Sequence, residues 1–365
     1  ADAILRLIAE YQNDARPQKI DLGVGVYRNA KGETPILASV KKAEKMILQE
    51  QETKTYLGSG GDPVFNDLMQ GLIFGEKNAS NERIVTLHTP GGSGALCVAA
   101  GLVLRARRDV TLWVPDPTWA NHVPLLGGAG LALKTYPYYD AESKTVRFDE
   151  MLKTLSSVAV GDMVLLHGCC HNPTGMDLDR KQWQQLGTVI GERRLVPFVD
   201  VAYLGFAEGL EQDAWPVRQL FDAVPEMIVA ASCSKNFALY RDRIGSLSVV
   251  GRNREARDIL RSQAHNIVRT MYSMPPDHGA AIVRRILANA ALKKEWIGEV
   301  DAMRDRLKAM RRLLVDALAV SASGRDFSHR LAAQAACKAA VKAGDALSVS
   351  ECQRLLEDLS ALDHP

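Results

Sequence analysis

Six short apolar runs punctuate the middle of the chain. They are IVTLHT (84–89), VTLWVPD (110–116), DMVLLHG (162–168), RLVPFVD (194–200), MIVAASCS (227–234) and SLSVV (246–250). Near-continuous runs of this length are the mark of strands buried on both faces. Between several of them, SGALCVAAGLVLRARR (93–108), RKQWQQLGTVIGERR (180–194) and PVRQLFDAVPE (216–226) bring apolar residues round at helical spacing. Such alternation predicts an α/β fold with a mostly parallel sheet covered by helices on both sides. A longer stretch, 291–320, places Trp296, Val300, Met303, Leu307, Met310 and Leu314 on one helical face. It is read as the link from a large domain into a smaller one. After about residue 330 the chain turns Ala-rich (LAAQAACKAAVKAG) and shows no convincing strand.

Composition narrows the function classes. The 365 residues carry 45 basic and 43 acidic side chains, a net charge of +2, with 47% hydrophobic and 24% charged residues. This length suggests one large domain plus a smaller one. Nothing in the balance argues for nucleic acid or an anionic membrane as partner. No apolar run approaches the ~20 residues of a membrane span. The opening ADAILRLIAEYQNDARPQK lacks the charged head and apolar stretch of a signal peptide. Cysteines at 97, 169, 170, 233, 337 and 352 are sparse and irregular, which fits reduced thiols in a cytoplasm.

In open α/β sheets, ligands bind beyond the carboxyl ends of the strands. The polar residues expected there form one chemical set. Gly91-Gly92-Ser93-Gly94 follows the first strand and opens a helix, a phosphate-binding arrangement. Trp119 and His122 follow the second strand, Asn172 the third, Asp200 and Tyr203 the fourth, and Ser232, Ser234 and Lys235 the fifth, with Arg243 soon after. A planar, phosphorylated, cationic heterocycle would use them all, and pyridoxal 5'-phosphate is such a group. Lys235 would bond it covalently and later carry a proton. Asp200 would pair with the ring nitrogen. Asn172 and Tyr203 would hydrogen-bond its phenolic oxygen, and Trp119 would stack on its face. Ser93, Ser232, Arg243 and the amides around Gly92 would hold its phosphate. Taken singly these residues have plainer explanations. Asp200 could cap a helix and Trp119 could be core. The GGSG turn lacks the G-K-[ST] ending of a P-loop and is no nucleophile elbow, since Ala95 stands where glycine is needed.

TPGGSGAL (89–96), DPTWANH (116–122), HGCCHNPTG (167–175), DVAYLGFAEG (200–209) and SCSKNFALYRDRIG (232–245) resemble the class I aminotransferases, in particular their aspartate/aromatic-amino-acid branch. DLGVGVY (21–27), TKTYLG (53–58) and IVRTMYSMPPDHGA (267–280) extend the resemblance over roughly residues 1–329. It implies fold type I of the pyridoxal-phosphate transferases. A seven-stranded large domain would span 36–302, and a smaller α/β domain would come from 1–35 and 303–365, its C-terminal part atypical. It implies Lys235 as the catalytic lysine, His122 supporting Asp200 from behind with His167 in the same supporting layer, and Gly25 lining the substrate pocket with Trp119 and Asn172. It further implies a homodimer with shared sites, in which Tyr56 reaches the neighbour's phosphate and Arg269 reads the distal carboxylate of a dicarboxylic substrate. The expected reaction is transfer of an amino group from aspartate or an aromatic amino acid to a 2-oxo acid such as 2-oxoglutarate. Another reaction on the same cofactor, such as β-elimination, stays open.

Two features pull elsewhere. On a strand-like backbone His167, Cys169 and His171 would face one way and Cys170 the other. A structural zinc site wants a fourth ligand, so no metal is expected and the cysteines are read as small buried residues. The resemblance also implies a Gly-Arg segment whose arginine clamps the substrate α-carboxylate. It is not found near the end of the chain. Ser323-Gly324-Arg325-Asp326 precedes FSH and matches an earlier position, and the likeness stops at about Arg330. A frameshifted tail and a variant terminus are both open. The alternative reading is therefore a homologue that binds the cofactor but is catalytically impaired.

Overall fold

The computed structural model describes residues 10–16 and 25–321. Its strands, in chain order, are β1 (Ile84–Pro90), β2 (Thr111–Asp116), β3 (Ala132–Pro137), β4 (Tyr139–Asp140), β5 (Thr145–Val146), β6 (Met163–His167), β7 (Val196–Val201), β8 (Met227–Ser232) and β9 (Ile244–Val250). The helices are α1 (Ala38–Glu50), α2 (Pro63–Phe74), α3 (Gly91–Ala106), α4 (Phe148–Ser156), α5 (Arg180–Glu192), α6 (Leu210–Ala223), α7 (Arg254–Met271), α8 (Asp277–Ala288) and α9 (Ala290–Ser321). Seven strands form one sheet in the order β1-β9-β8-β7-β6-β2-β3, and β9 runs antiparallel to both its neighbours. The remaining pairs in that sheet are parallel.

Side chains alternate across a pleated strand, and here both alternate sets are apolar. Met163 and Leu165 of β6, Phe198 of β7, Ile228 and Ala230 of β8 and Leu247 of β9 enter one core with α3 and α7. Val164 and Leu166, Val199 and Val201, and Val229 and Ala231 enter the other, beneath α2, α5, α6, α8 and α9. Burial on both faces is why these strands read as continuous apolar runs. β3 lies at the sheet edge, and most of its residues retain solvent exposure. Its ALKTYP sequence therefore lacks that signature.

Two differences from the sequence reading have physical causes. First, α6 begins at Leu210, six residues ahead of the expected Pro216, which sits inside the helix. Gly209, at φ 138°, breaks the chain before it. Second, 167–171 is not one strand. β6 ends at His167, and Cys170 has φ 53°, so the alternation of His167, Cys169, His171 against Cys170 does not apply. The His167 and His171 rings instead lie 4.2 Å apart, and His171 stacks on Tyr138 at 4.0 Å. The helix expected over 291–320 is α9, unbroken from Ala290 to Ser321. Residues 323–326, the tail after 330 and the Gly-Arg question lie outside the described residues.

Candidate functional site

The carboxyl ends of β1, β2, β6, β7 and β8 and the start of the reversed β9 meet at one edge of the sheet. A cavity of about 320 Å³ opens there, within the usual range for a small-molecule pocket. Gly92, Ser93, Ser232 and Arg243 line it, as do Trp119, Asn172, Asp200, Tyr203 and Lys235. Gly25 and His167 also reach it. His122 stands behind Asp200, fully buried. Tyr56 is 87% exposed and Arg269 is also exposed, its Nη1 donating to Ser273 Oγ at 2.9 Å; neither lines the cavity. Among the described residues, no group of three or more His, Cys, Asp or Glu is arranged to hold a metal.

One end of the cavity is built for an anion. β1 runs directly into α3, whose N-terminus has no side-chain cap, so the first-turn amides are free to donate. Gly91 has φ 74°, open to glycine without strain. β9 crosses so close that a Cβ on Gly245 would lie 2.6 Å from the Gly91 carbonyl carbon. A Cβ on Gly92 would lie 3.2 Å from Ser232 Cβ and fill the cradle. Arg243 Nη1 donates to Tyr240 O at 3.0 Å and to Ser234 Oγ at 3.4 Å, which fixes the guanidinium at this end.

At the other end, proton positions can be assigned. Asn172 N–H donates to His167 Nδ1 at 3.4 Å. Burial, with the charges of His171 and His122, holds His167 well below the usual histidine range, so its ring is neutral. Its Nε2 then carries the proton and donates to Thr118 Oγ1 at 3.1 Å. The Thr118 hydroxyl also lies 2.8 Å from His122 Nδ1, and His122 Nε2 donates to the acceptor-only Asp200 carboxylate, at Oδ2, at 3.0 Å. Burial alone would raise Asp200. The hydrogen bond and charge of His122, with His167 and Lys235, outweigh it and leave Asp200 below the ordinary carboxylate range. Asp200 is therefore an anion at neutral pH, fit to face a protonated ring nitrogen.

Lys235 Nζ lies 4.7 Å from the centroid of the Tyr203 ring. Burial, reinforced by Arg243 and opposed by Asp200, lowers its amine below the ordinary lysine range. A lowered basicity leaves more of the amine unprotonated at neutral pH, the form that acts as nucleophile and proton acceptor. Tyr203 hydrogen-bonds the Asn172 side chain, and burial pushes its phenol up to about 12. It is a neutral hydrogen-bonding group at neutral pH. Anion cradle, ring-facing carboxylate, lysine and Trp119 plate thus suit pyridoxal 5'-phosphate in both shape and charge.

Several residues here escaped the sequence reading. Thr118 sits one turn before His122 and bridges two rings. The Tyr240 hydroxyl accepts Tyr27 N–H at 2.9 Å beside Gly25 and Val26. Asp177 accepts two amides of the turn before Asn172. Asp213 accepts the amides of Gly205, Ala207 and Glu208, in the loop after Tyr203. Trp296 Nε1 donates to Asn236 O at 2.8 Å, pinning the residue after Lys235. An acidic residue a few positions beyond a functional turn was the available signal for both aspartates.

Larger hollows exist elsewhere. One of about 720 Å³ follows one face of α7, from Arg254 to Gln263, and another of about 670 Å³ lies beside Trp296. Most charged groups of the second are spent on each other, as in Arg304–Asp301 at 2.6 Å, Arg218–Glu211 at 2.6 Å and Lys293–Glu76 at 3.3 Å.

Comparison with known proteins agrees with this chemistry. The family described as aminotransferase class I and II matches residues 17–337. The aspartate aminotransferase of Escherichia coli (strain K12) is 45% identical over 330 residues, 90% of this chain and 83% of the relative. An aromatic-amino-acid aminotransferase of Pseudomonas aeruginosa is 44% identical over 90% of this chain and 82% of its own length. The crystal structure of an aromatic-amino-acid aminotransferase from Burkholderia pseudomallei, covalently bound to pyridoxal phosphate, superposes with a TM-score of 0.89. It is 40% identical, covering 92% of this chain and 84% of that one.

Proposed function

The chain belongs to the class I and II aminotransferases, and from that premise we propose which residues perform transamination here and on which substrates. The enzyme is an aminotransferase and its cofactor is pyridoxal 5'-phosphate. The observation that carries the residue assignment is Lys235. It is a partly buried amine of lowered basicity, between the Asp200 carboxylate and the anion cradle.

Bound pyridoxal phosphate supplies a cationic ring that withdraws electrons from the substrate α-carbon. Lys235 would hold the cofactor covalently between turnovers. Its free amine would carry the proton to and from the substrate α-carbon. Asp200, oriented by His122, keeps a negative charge against the ring nitrogen. Asn172 and Tyr203 hold the phenolic oxygen. Trp119 covers the ring face, and Gly25 leaves room for substrate, since a Cβ there would meet nothing within 4 Å. Gly92, Ser93, Ser232, Arg243 and the α3 amides take the phosphate.

The substrates we assign are aspartate or an aromatic amino acid as donor and 2-oxoglutarate as acceptor. Support comes from the relatives, which carry both kinds of name, and from the exposed Arg269 guanidinium, available for a distal carboxylate. The active unit we propose is a homodimer in which Tyr56 and Arg269 complete the partner's cavity. Their support is that both are exposed side chains outside this chain's own cavity. A cytoplasmic setting fits the unpaired thiols of Cys97, Cys169, Cys170 and Cys233.

The test combines two measurements. Wild-type protein reconstituted with pyridoxal phosphate should show a visible absorption band that Lys235→Ala lacks. A donor panel at fixed 2-oxoglutarate should give turnover with aspartate, tyrosine or phenylalanine. Persistence of the band in the Ala variant would remove Lys235 from its role.

A further inference from the structure

The turn that brings Asn172 into the cavity is tied down by a single carboxylate. Asp177 Oδ2 accepts Cys170 N–H at 2.6 Å, and Oδ1 accepts His171 N–H at 2.8 Å. β6 has ended at His167, so the strand ladder does not reach these amides. Left unpaired in a partly buried turn, each would carry a desolvation cost. Cys170 meanwhile holds φ 53°, in the left-handed region that side chains other than glycine seldom adopt. A local hydrogen-bond clamp of this kind can hold such a residue in place. Asn172 is only two residues further on, and its own N–H makes a long 3.4 Å bond to His167 Nδ1. The Asp177 end of the clamp is fixed in turn. Tyr138 hydroxyl donates to Met176 O at 2.7 Å, and Gly175 N–H donates to His171 O at 2.6 Å.

We propose that Asp177 is a positioning residue for Asn172: by accepting both amides it sets the turn that aims the Asn172 side chain at Tyr203 and the cofactor's phenolic oxygen. This rests on the reading of Asn172 as a cofactor contact. The groups facing Asp177 are the Asp213 carboxylate on α6, the Tyr138 phenol after β3, and the Cys169 and Cys170 thiols. None of these is cationic. Burial raises Asp177 to about 6 against the lowering effect of its two amide bonds. A proton on either oxygen weakens one amide bond, so the clamp is complete above pH 6 and loosens as the pH falls through it.

The experiment follows the cofactor's visible absorption against pH in the reconstituted holoenzyme and in the variants Asp177→Asn, Asn172→Ala and the double. In Asp177→Asn a side-chain NH2 must face one of the two amides. Its midpoint should move in the same direction as that of Asn172→Ala, and the double should shift no further than Asn172→Ala alone. A lowered melting temperature with an unmoved midpoint would mean that Asp177 serves only stability, and would overturn the proposal. An unmoved midpoint in Asn172→Ala would instead defeat the reading of Asn172 itself.

Should Asp177→Asn not fold, the wild-type holoenzyme is read by NMR with 15N-labelled cysteine, histidine and asparagine. The amides of Cys170 and His171 and the side-chain amide of Asn172 should titrate together with a midpoint near pH 6. Titration of the two backbone amides past a motionless Asn172 side chain would overturn the proposal.

Discussion

Asp200 shows how much of a residue's chemistry is set by the neighbours around it. Its charge is held by the His122 hydrogen bond, and His122 is in turn linked through Thr118 to His167 and the Asn172 amide. In Asp200→Asn the amide oxygen can still accept from His122, so fold and core should be kept. The charge facing the cofactor is lost. kcat should fall by on the order of 100-fold or more, the scale on which one preorganised electrostatic contact acts at a transition state, with the melting temperature little changed. Steady-state kinetics with circular dichroism melts checks this, and a kcat near wild type would take Asp200 out of its role. Asp200, Lys235, Asn172 and Arg243 were legible because the sheet rule says where ligands bind, and these are the polar residues at those strand ends. Thr118, Asp177 and Asp213 were not, because what they hold is a ring or backbone amide whose approach depends on turns. The left-handed Cys170 is one such turn that no spacing announces.

Among the strands, those buried on both faces were legible and those with a wet face were not. β6, β7 and β8 announce themselves as apolar runs. The edge strand β3 and the amphipathic α7 do not stand out without knowing what they cover. β1 carries an exception inside its own run. Thr86, His88, Ser246 and Ser248 form a polar stripe on the β1–β9 pair. Thr86 Oγ1 lies 2.8 Å from Ser248 Oγ and donates to Gln70 Oε1 at 3.1 Å. His88 is 0% exposed, neither ring nitrogen meets a partner among the described residues, and burial lowers its pKa to about 4. The unfolded value, near 6.5, is the higher one, so the unfolded chain takes up the proton first as pH falls. The stability is intact above pH 6.5 and is lost as the pH drops toward 4, by on the order of 3 kcal/mol at full effect. His171, held to about 3 by burial, acts in the same sense. Urea midpoints at pH 7.5 and 5 should therefore fall steeply in the wild type and less in His88→Gln. Equal losses in the two proteins would show that His88 is not the source.

For the whole molecule the question is whether one chain contains a complete site. The cavity gathers the cofactor residues from a single chain, yet Tyr56 and Arg269 stand outside it with their side chains in solvent. Sharing between subunits has a consequence that a self-contained site cannot imitate. Lys235→Ala alone should be inactive, and Arg269→Ala alone should turn over aspartate poorly. In a mixed dimer of the two, one site receives both lesions. The other joins an intact Lys235 from the Arg269→Ala chain to an intact Arg269 from the Lys235→Ala chain. Random reassociation of equal amounts makes half the dimers mixed, each with one good site, so aspartate turnover should recover to roughly a quarter of the wild-type value. If each chain supplied its own Arg269, every site would keep one lesion and mixing would restore nothing. Co-refolding the two variants and assaying with aspartate and 2-oxoglutarate, with separately refolded variants combined only in the cuvette as control, decides between these arrangements. An aromatic donor gives an internal control. It has no distal carboxylate, so in the half-reaction with tyrosine or phenylalanine, followed by the cofactor's absorption without 2-oxoglutarate (itself a dicarboxylate), the Arg269→Ala chain alone should keep most of its rate, and mixing should add little.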